Sequence, residues 1–299
     1  MDLIEKINKL KAEKNATILG HCYQNIEIDS VADFVGDSLY LSRCAANTNA
    51  DIIVFAGVYF MAQSAKILSP QKKVLLPNLK SGCLMADMID AQSLIEFKNK
   101  YPNIPVVCYI NSTAEVKALS DICCTSSNAI QVVKSLGVNK VLFVPDTYLG
   151  KYVESKLEGV EVITYNGYCP THLRIRKEDI ELCRKTYPNA LILAHPECHS
   201  EVLKLVDFVG STKEIMDYAQ KSTHKEFVIA TEKGVQQRLS RDLKDKSFAL
   251  VNDKITCPNM KQNSLEDIYN VLLNETNEIN VKPDTIQKAK FAIDRMLNI

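Results

Sequence analysis

The chain has 299 residues, 46% of them hydrophobic and 24% charged, and its 36 basic side chains balance 36 acidic ones. This apolar fraction suffices for a packed core and excludes a disordered or collagen-like chain. A formal net charge of zero removes the long-range attraction that nucleic-acid and anionic-membrane binders use. We therefore expect small-molecule ligands, and neither nucleic acid nor a membrane as a partner.

Two features of the sequence predict a cytoplasmic protein. The most apolar stretch, residues 52–62, is about eleven residues long, whereas a membrane-spanning helix needs about 20. The N-terminal residues carry acidic and basic side chains at helical spacing and lack the uninterrupted apolar core of a secretory signal. In a reducing compartment, ten cysteines are better explained by metal binding, packing or catalysis than by a disulfide framework.

The predicted elements begin with an amphipathic helix, because Leu3, Ile4, Ile7 and Leu10 share one helical face. Short apolar runs typical of buried strands follow, and they recur at intervals of roughly 86 to 88 residues. The recurring segments are 16–21, 105–111 and 190–195; 33–38, 121–126 and 207–212; 51–57, 140–145 and 225–230; and 73–77, 160–164 and 247–251. The chain therefore contains three copies of one unit.

Strand-length apolar runs alternate with helical periodicity in each unit, which predicts parallel strands covered by helices on both faces. We predict an α/β protein of three pseudo-threefold-related, three-layer αβα domains with parallel sheets around a central active site. The predicted domains are 1–82, 83–168 and 169–257. Two closing helices within 258–299, begun by Ser264 and Pro283, are expected to pack on the first domain.

Polar side chains lie at or just past the end of the first strand in every predicted unit. They are His21 in the first unit, Tyr109 and Asn111 in the second, and His195 and Glu197 in the third. Ligands of open parallel sheets bind beyond the carboxyl ends of the strands. We therefore interpret these five side chains as parts of one ligand site on a common axis.

One hydroxyl residue per unit, Ser38, Ser126 or Thr212, stands just before a helical pattern. We expect some of these hydroxyls to cap their helices. Helix N-termini also present free N–H groups and the positive end of the helix dipole. Three such ends around one cavity suit a substrate with several carboxylates or a phosphate.

One cysteine per unit, Cys83, Cys169 or Cys257, follows the last strand. No two cysteines have C-x-x-C spacing, so a metal site has to be assembled from distant segments. Three thiolates can hold a tetrahedral zinc ion or three irons of a 4Fe-4S cluster, and both leave one position open. We favour the cluster, with its open iron as a Lewis acid, because a structural zinc normally has a fourth protein ligand. The other seven cysteines are predicted packing residues.

Motifs along essentially the whole chain resemble one known family. They include His21-Cys-Tyr-Gln24, residues 32–39 (ADFVGDSL), residues 54–62 (VFAGVYFMA), His195-Pro-Glu-Cys198, Gly210-Ser-Thr212, Ala230-Thr-Glu232 and Cys257-Pro-Asn-Met-Lys261. With these motifs the chain resembles the bacterial and archaeal quinolinate synthases of NAD biosynthesis. That family is similar in having three pseudo-symmetric α/β units, a central active site and a 4Fe-4S cluster on three cysteines.

The resemblance implies an enzyme that condenses iminoaspartate with dihydroxyacetone phosphate, releases phosphate and water, and closes the ring of quinolinate. It implies that the cluster ligands are Cys83, Cys169 and Cys257. It implies iminoaspartate contacts from His21, Ser38, Tyr109, Asn111, Ser126, His195, Glu197 and Thr212. It places Tyr23 and His172 near the reacting carbons. We expect Glu197 to accept protons, with His195, Tyr109 and Tyr23 as relays, and we expect functional coupling to an iminoaspartate-producing enzyme.

Three positions, Cys22, Gln63 and Met260, depart from common family residues. Some relatives have a redox-active cysteine where this chain has Met260, so we expect no such disulfide here. Two other functions stay open at this point, an aconitase-like hydratase with the same open iron and a cluster-dependent redox sensor. A sensor usually needs an output surface such as a basic DNA-binding helix, and the balanced charge offers none.

Overall fold

The computed structural model describes residues 2–299, and its frame consists of three four-stranded sheets. All strand pairs within these sheets are parallel. In every sheet the strands of the unit lie in the order second, first, third, fourth. This repetition confirms the α/β architecture of three repeated αβα units. The limits 1–82, 83–168 and 169–257 remain our proposed division of the chain.

The first unit begins with α1 (Leu3–Glu13), whose N-terminus is closed by a capping box between Asp2 and Glu5. Its other elements are β1 (Ala16–His21), a 3-10 helix (Ile26–Ser30), β2 (Phe34–Gly36), α2 (Ser38–Asn47), β3 (Ile52–Ala56), α3 (Tyr59–Leu68) and β4 (Lys73–Leu75). All five residues of β3 are buried. A continuous apolar run is what a central strand of a sheet covered on both faces requires.

The second and third units repeat this sequence of elements. The second has a 3-10 helix (Ala86–Met88), α4 (Ala91–Lys100), β5 (Val106–Tyr109), α5 (Ala114–Ala118), β6 (Ile122–Cys124), α6 (Ala129–Ser135), β7 (Lys140–Val144), α7 (Thr147–Glu154) and β8 (Glu161–Thr164). The third has a 3-10 helix (His172–Arg174), α8 (Lys177–Thr186), β9 (Leu191–Ala194), α9 (Ser200–Leu203), β10 (Phe208–Val209), α10 (Thr212–Lys221), β11 (Glu226–Ala230), α11 (Lys233–Asp242) and β12 (Ser247–Leu250).

A recurring aspartate ties the first strand of each unit to the start of its second strand. Its carboxylate accepts a backbone N–H from the first strand. The donor and acceptor pairs are Ile18 to Asp33 (2.9 Å), Val106 to Asp121 (2.7 Å) and Ile192 to Asp207 (2.7 Å). The backbone N–H of each aspartate returns a bond to the carbonyl of the same partner. The aspartate period in the sequence therefore has a structural cause, which is the pairing of these two strands.

The two closing helices, α12 (Leu265–Asn274) and α13 (Pro283–Leu297), pack at different places. Ser264 caps α12 as predicted, and this helix lies on α1 and β3 of the first unit. Helix α13 was expected there too, but it packs mainly on α5 and β6 of the second unit and also touches α3. Its buried face belongs to the core that the first two units share. No helix within residues 2–299 is long and apolar enough for a membrane span.

One hydrophobic core runs through the first and second units without a break, and it includes Leu19 of β1 and Phe143 of β7. The third unit has separate clusters on the two faces of its own sheet. Buried polar contacts join it to the first unit, since the Arg238 guanidinium of α11 donates to the carbonyls of Cys22 (2.6 Å) and Gln24 (3.2 Å). The first two units therefore share one apolar core, and directional bonds help to join the third unit to the first.

Replacing Phe143 by Ala removes a fully buried side chain from the shared core. We expect the free energy of unfolding to fall by about 3–5 kcal/mol, as for other buried Phe→Ala changes. Phe291→Ala is the matched control, because that side chain is 61% exposed on α13, and it should cost under about 0.5 kcal/mol. Urea unfolding followed by circular dichroism measures both, and similar losses would contradict the described core.

Candidate functional site

The carboxyl ends of the three sheets surround one cavity, as expected for the ligand sites of parallel sheets. The structure brings to its wall every residue predicted for binding, catalysis or metal ligation. These are His21, Tyr23, Ser38, Cys83, Tyr109, Asn111, Ser126, Cys169, His172, His195, Glu197, Thr212 and Cys257. The cavity therefore unites polar groups from all three units.

Glu197 is a buried acid of this cavity, with 3% of its surface exposed. Tyr109 donates its phenolic O–H to Oε1 at 2.6 Å, and Nδ1 of His172 lies 2.7 Å from Oε2. Burial disfavours the carboxylate, but His195, His172 and the two hydrogen bonds outweigh that effect and lower the pKa of Glu197 to about 2. Glu197 is therefore ionised at neutral pH.

A chain of hydrogen bonds leads from Glu197 through His172 and Thr231 to Tyr23 of the first unit. Nε2 of His172 lies 2.9 Å from the hydroxyl of Thr231, and that hydroxyl lies 3.0 Å from the hydroxyl of Tyr23. The Tyr23 hydroxyl lies 2.8 Å from that of Thr212. Burial raises the pKa of Tyr23 well above its usual value, so its hydroxyl stays protonated. The chain can therefore pass protons between Tyr23 and the acid.

His21 and His195 are held in the same tautomer by the same local contact. Nδ1 of His21 accepts the backbone N–H of Tyr23 at 3.1 Å, and Nδ1 of His195 accepts that of Glu197 at 3.3 Å. An accepting ring nitrogen carries no hydrogen, so each neutral ring has its hydrogen on Nε2. Burial lowers the pKa of both imidazoles to about 3. Both residues are therefore neutral donors at pH 7, and Nε2 of His195 lies 3.2 Å from the Ser126 hydroxyl.

The structure corrects the expectation that some of the hydroxyls of Ser38, Ser126 and Thr212 cap their helices. Asp37 caps α2, and Ser211 caps α10, in each case the residue before the predicted one. Helix α6 starts after Asn128, two residues beyond the predicted hydroxyl. Because other residues occupy the N-cap positions, the hydroxyls of Ser38, Ser126 and Thr212 are available to line the cavity.

The three periodic cysteines come from separate units and line the same cavity. Burial raises the pKa of each thiol, to about 12 for Cys83, and repulsion between the thiolates adds to the effect at Cys83 and Cys169. A bound cation would relieve that repulsion and stabilise the thiolates. The other seven cysteines are all buried except Cys44, as packing residues would be.

Two fully buried acids, Asp146 and Glu232, had no assigned role in the sequence. Glu232 accepts the backbone N–H of Cys257 at 3.2 Å, and Asp146 accepts that of Leu149 at 2.6 Å. Both acids directly precede a helix at equivalent positions of their units, where the first unit has Val58. Because the three units share no residue type at this position, the sequence repeat provides no signal for these acids. Thr231, another missed residue, lies in a quoted motif but had no assigned role.

A compact group of donors lies beside the cysteines. Ligand atoms of Cys169, His172 and Glu197 all lie within 4.8 Å of one another. Nδ1 of His172 is 3.2 Å from the sulfur of Cys169 and 2.7 Å from Glu197. Sulfur, imidazole nitrogen and carboxylate oxygen are ligand types of zinc and iron. Cys169, His172 and Glu197 can therefore either bind a metal ion together or exchange protons with one another.

Acid should destabilise the protein through His21 and His195. Their folded pKa of about 3 lies below the ordinary value of 6.5, so the unfolded chain takes up protons first as the pH falls. Their contribution to stability is complete above about pH 6.5 and is lost as the pH falls towards about 3. Between pH 6.5 and 5 we expect the free energy of unfolding to drop by about 3 kcal/mol.

Anaerobic urea unfolding at the two pH values measures this drop. His21→Gln should roughly halve it, because one of the two buried imidazoles is gone. His224→Gln removes an exposed histidine and should leave the wild-type drop intact. A drop that is the same in all three proteins would show that the buried imidazoles are not its source.

The sequence is similar to that of proteins from one family along nearly its whole length. The sequence model of the family described as "NadA: Quinolinate synthetase A protein" matches residues 5–298. The chain is 51% identical to the quinolinate synthase of Alkaliphilus metalliredigens, over 100% of this chain and 98% of that protein. It is 48% identical to that of Caldicellulosiruptor saccharolyticus, over 98% of this chain and 97% of the relative. The chain belongs to the quinolinate synthase family.

Proposed function

We propose that this protein is a condensing and dehydrating transferase that makes quinolinate from iminoaspartate and dihydroxyacetone phosphate, with release of phosphate and water. A 4Fe-4S cluster is its proposed cofactor. The observation that carries the proposal is the convergence of Cys83, Cys169 and Cys257, one from each unit, on a cavity rich in neutral hydrogen-bond donors. Because imines hydrolyse in water, an iminoaspartate-producing enzyme is the expected functional partner.

The spacing of the donors favours a cluster over a single zinc ion. Three thiolates on one zinc lie about 3.8 Å apart, given a Zn–S distance of about 2.3 Å. Within residues 2–299, the donors within 4.8 Å of one another are those of Cys169, His172 and Glu197, and the three cysteines form no such group. In a 4Fe-4S cluster each of the three thiolates binds a different iron, so the distances between the sulfurs are longer than on one zinc ion. When bound, the cluster supplies an iron without a protein ligand, which can act as a Lewis acid.

The rest of the cavity suits two anionic reactants. His21 and His195 offer Nε2–H donors, and Ser38, Ser126 and Thr212 offer hydroxyls to carboxylate and phosphate oxygens. The side-chain oxygen of Asn111 is buried without a hydrogen-bond partner. A buried acceptor in that state is costly, so it indicates a donor on the ligand, and an imine or enamine N–H supplies one. Holding both reactants in this way orients their reacting carbons.

His172 and Glu197 divide the proton transfer between them. With a pKa of about 2 and both oxygens already in contact with Tyr109 or His172, Glu197 is a weak base by itself. It is better placed to stabilise a protonated His172, which takes up protons from substrate at Nε2, relayed by the hydroxyls of Tyr23 and Thr231. This refines the expectation that Glu197 is the direct acceptor.

Serine substitution of Cys83, Cys169 or Cys257 should each abolish a cluster of about four irons and four sulfides per chain. Cys44→Ser is the matched control, because this cysteine lies on α2 outside the cavity, and it should keep the full content. Iron and sulfide analysis after anaerobic purification measures this. One zinc per chain, or iron that survives all three substitutions, would contradict the cofactor assignment.

Glu197→Gln should lower kcat for quinolinate formation by about 10²–10⁴, because it removes the charge that stabilises a protonated His172. The iron content and visible spectrum should stay those of wild type. His199→Gln is the control, since this partly exposed histidine lies outside the cavity and should turn over normally. Normal turnover in Glu197→Gln would remove the acid from the proposed proton path, while loss of the cluster would assign it a structural role instead.

A further inference from the structure

Two thiols and a lysine form a buried cluster in the second unit, outside the cavity described above. Cys108 of β5 and Cys123 of β6 are direct partners in the parallel pairing of these strands. Both side chains are fully buried. Neither residue lines the cavity or has a part in the proposed function.

The pairing places the two thiols within reach of each other. Neighbouring strands lie about 4.8 Å apart, and paired residues point to the same face of the sheet. Disulfides join residues whose Cα atoms are about 4.4–6.8 Å apart. Because Cys108 and Cys123 are paired residues, both thiols lie on the same face of the sheet. Cys124, the next residue on β6, points to the opposite face, which makes it a natural control.

Lys117 lies beside this pair without any exposed surface. Its ammonium donates to the carbonyl of Ser112 and lies 5.3 Å from the ring centre of Phe60. It forms no ion pair with a carboxylate in the described part of the chain. Burial lowers the pKa of Lys117, and a thiolate at Cys108 counters this effect by supplying the negative charge that favours the ammonium form.

Further contacts distinguish the two thiols. The Ser112 hydroxyl lies 3.0 Å from the sulfur of Cys108. Burial by itself would raise the pKa of Cys108, but the Cys123 thiol, Lys117 and nearby hydroxyls lower it to about 7. Burial and the neighbouring Cys108 raise the pKa of Cys123 well above its usual value. One thiol is thus prepared to attack, and the other is a protonated partner.

We propose that Cys108 and Cys123 form a redox-active pair that a small hydroperoxide converts to a disulfide, with Lys117 holding Cys108 as the attacking thiolate. The burial of both sulfurs selects an oxidant as small as hydrogen peroxide. The Cys108 sulfur attacks one peroxide oxygen, the O–O bond breaks, and hydroxide leaves and is protonated to water. The Cys123 thiol then attacks the sulfenic acid, the S–S bond forms, and a second water leaves. Two thiols lose two electrons, and the peroxide gains them.

Peptide mapping of the full-length holoprotein tests the proposal. The protein is treated with stoichiometric hydrogen peroxide, alkylated and digested with trypsin, which separates Cys108 (residues 101–117) from Cys123 (residues 118–134). Wild type and Cys124→Ala should both yield these two peptides as a disulfide-linked pair that dithiothreitol separates. Cys108→Ala and Cys123→Ala should yield none. Loss of the link in Cys124→Ala, or Cys108 found alkylated or as sulfinic acid without a link, would overturn the proposal.

Lys117→Gln tests the role of the lysine. Its loss joins the two peptides into one, in which the disulfide appears as the loss of two hydrogens. Disulfide formation should be at least about ten times slower than in wild type, because the thiolate loses its counter-charge. Lys134→Gln, a change on α6 of the same unit, is the matched control and should keep the wild-type rate. An unchanged rate in Lys117→Gln would overturn the assigned role of this residue.

Discussion

Several polar groups at the strand ends find hydrogen-bond partners in another unit, and the site depends on these contacts between units. Tyr109 of the second unit donates to Glu197 of the third, and Ser126 of the second contacts His195 of the third. Tyr23 of the first unit meets hydroxyls of the third. Since an unpaired buried polar group is costly, no unit can bury its strand ends well alone. Assembly of the three units and formation of the site are therefore one event.

Two of the joints between units differ in character in spite of the repeated fold. The first two units share an apolar core, which is tolerant of small shifts because its attraction has no direction. The third unit is tied to the first by the buried guanidinium of Arg238, whose bonds to Cys22 and Gln24 require defined angles. The cavity therefore lies between the first two units, which share an apolar core, and a third unit whose position is set by a few hydrogen bonds.

The period in the sequence predicted the three sheets, the three cysteines and the strand-end residues, because these features recur in every unit. It did not reveal residues that break the symmetry. At one equivalent position the units have Val58, Asp146 and Glu232, so no shared residue type marks it. It also could not decide between adjacent polar residues at a helix start, such as Asp37 and Ser38, because capping depends on side-chain direction. Similarly, the apolar face of α13 predicts that the helix is buried but does not specify where.

The position of α13 has a consequence for how the chain is made. This helix is synthesised long after α5 and β6, yet its apolar face completes the core around these elements of the second unit. At translation rates of about 5 to 20 residues per second, the ribosome needs about 10 to 30 s to pass from α5 to α13. During that time the apolar surface awaiting α13 is open to solvent and to other nascent chains. An apolar surface exposed in this way is one to which chaperones can bind until α13 emerges.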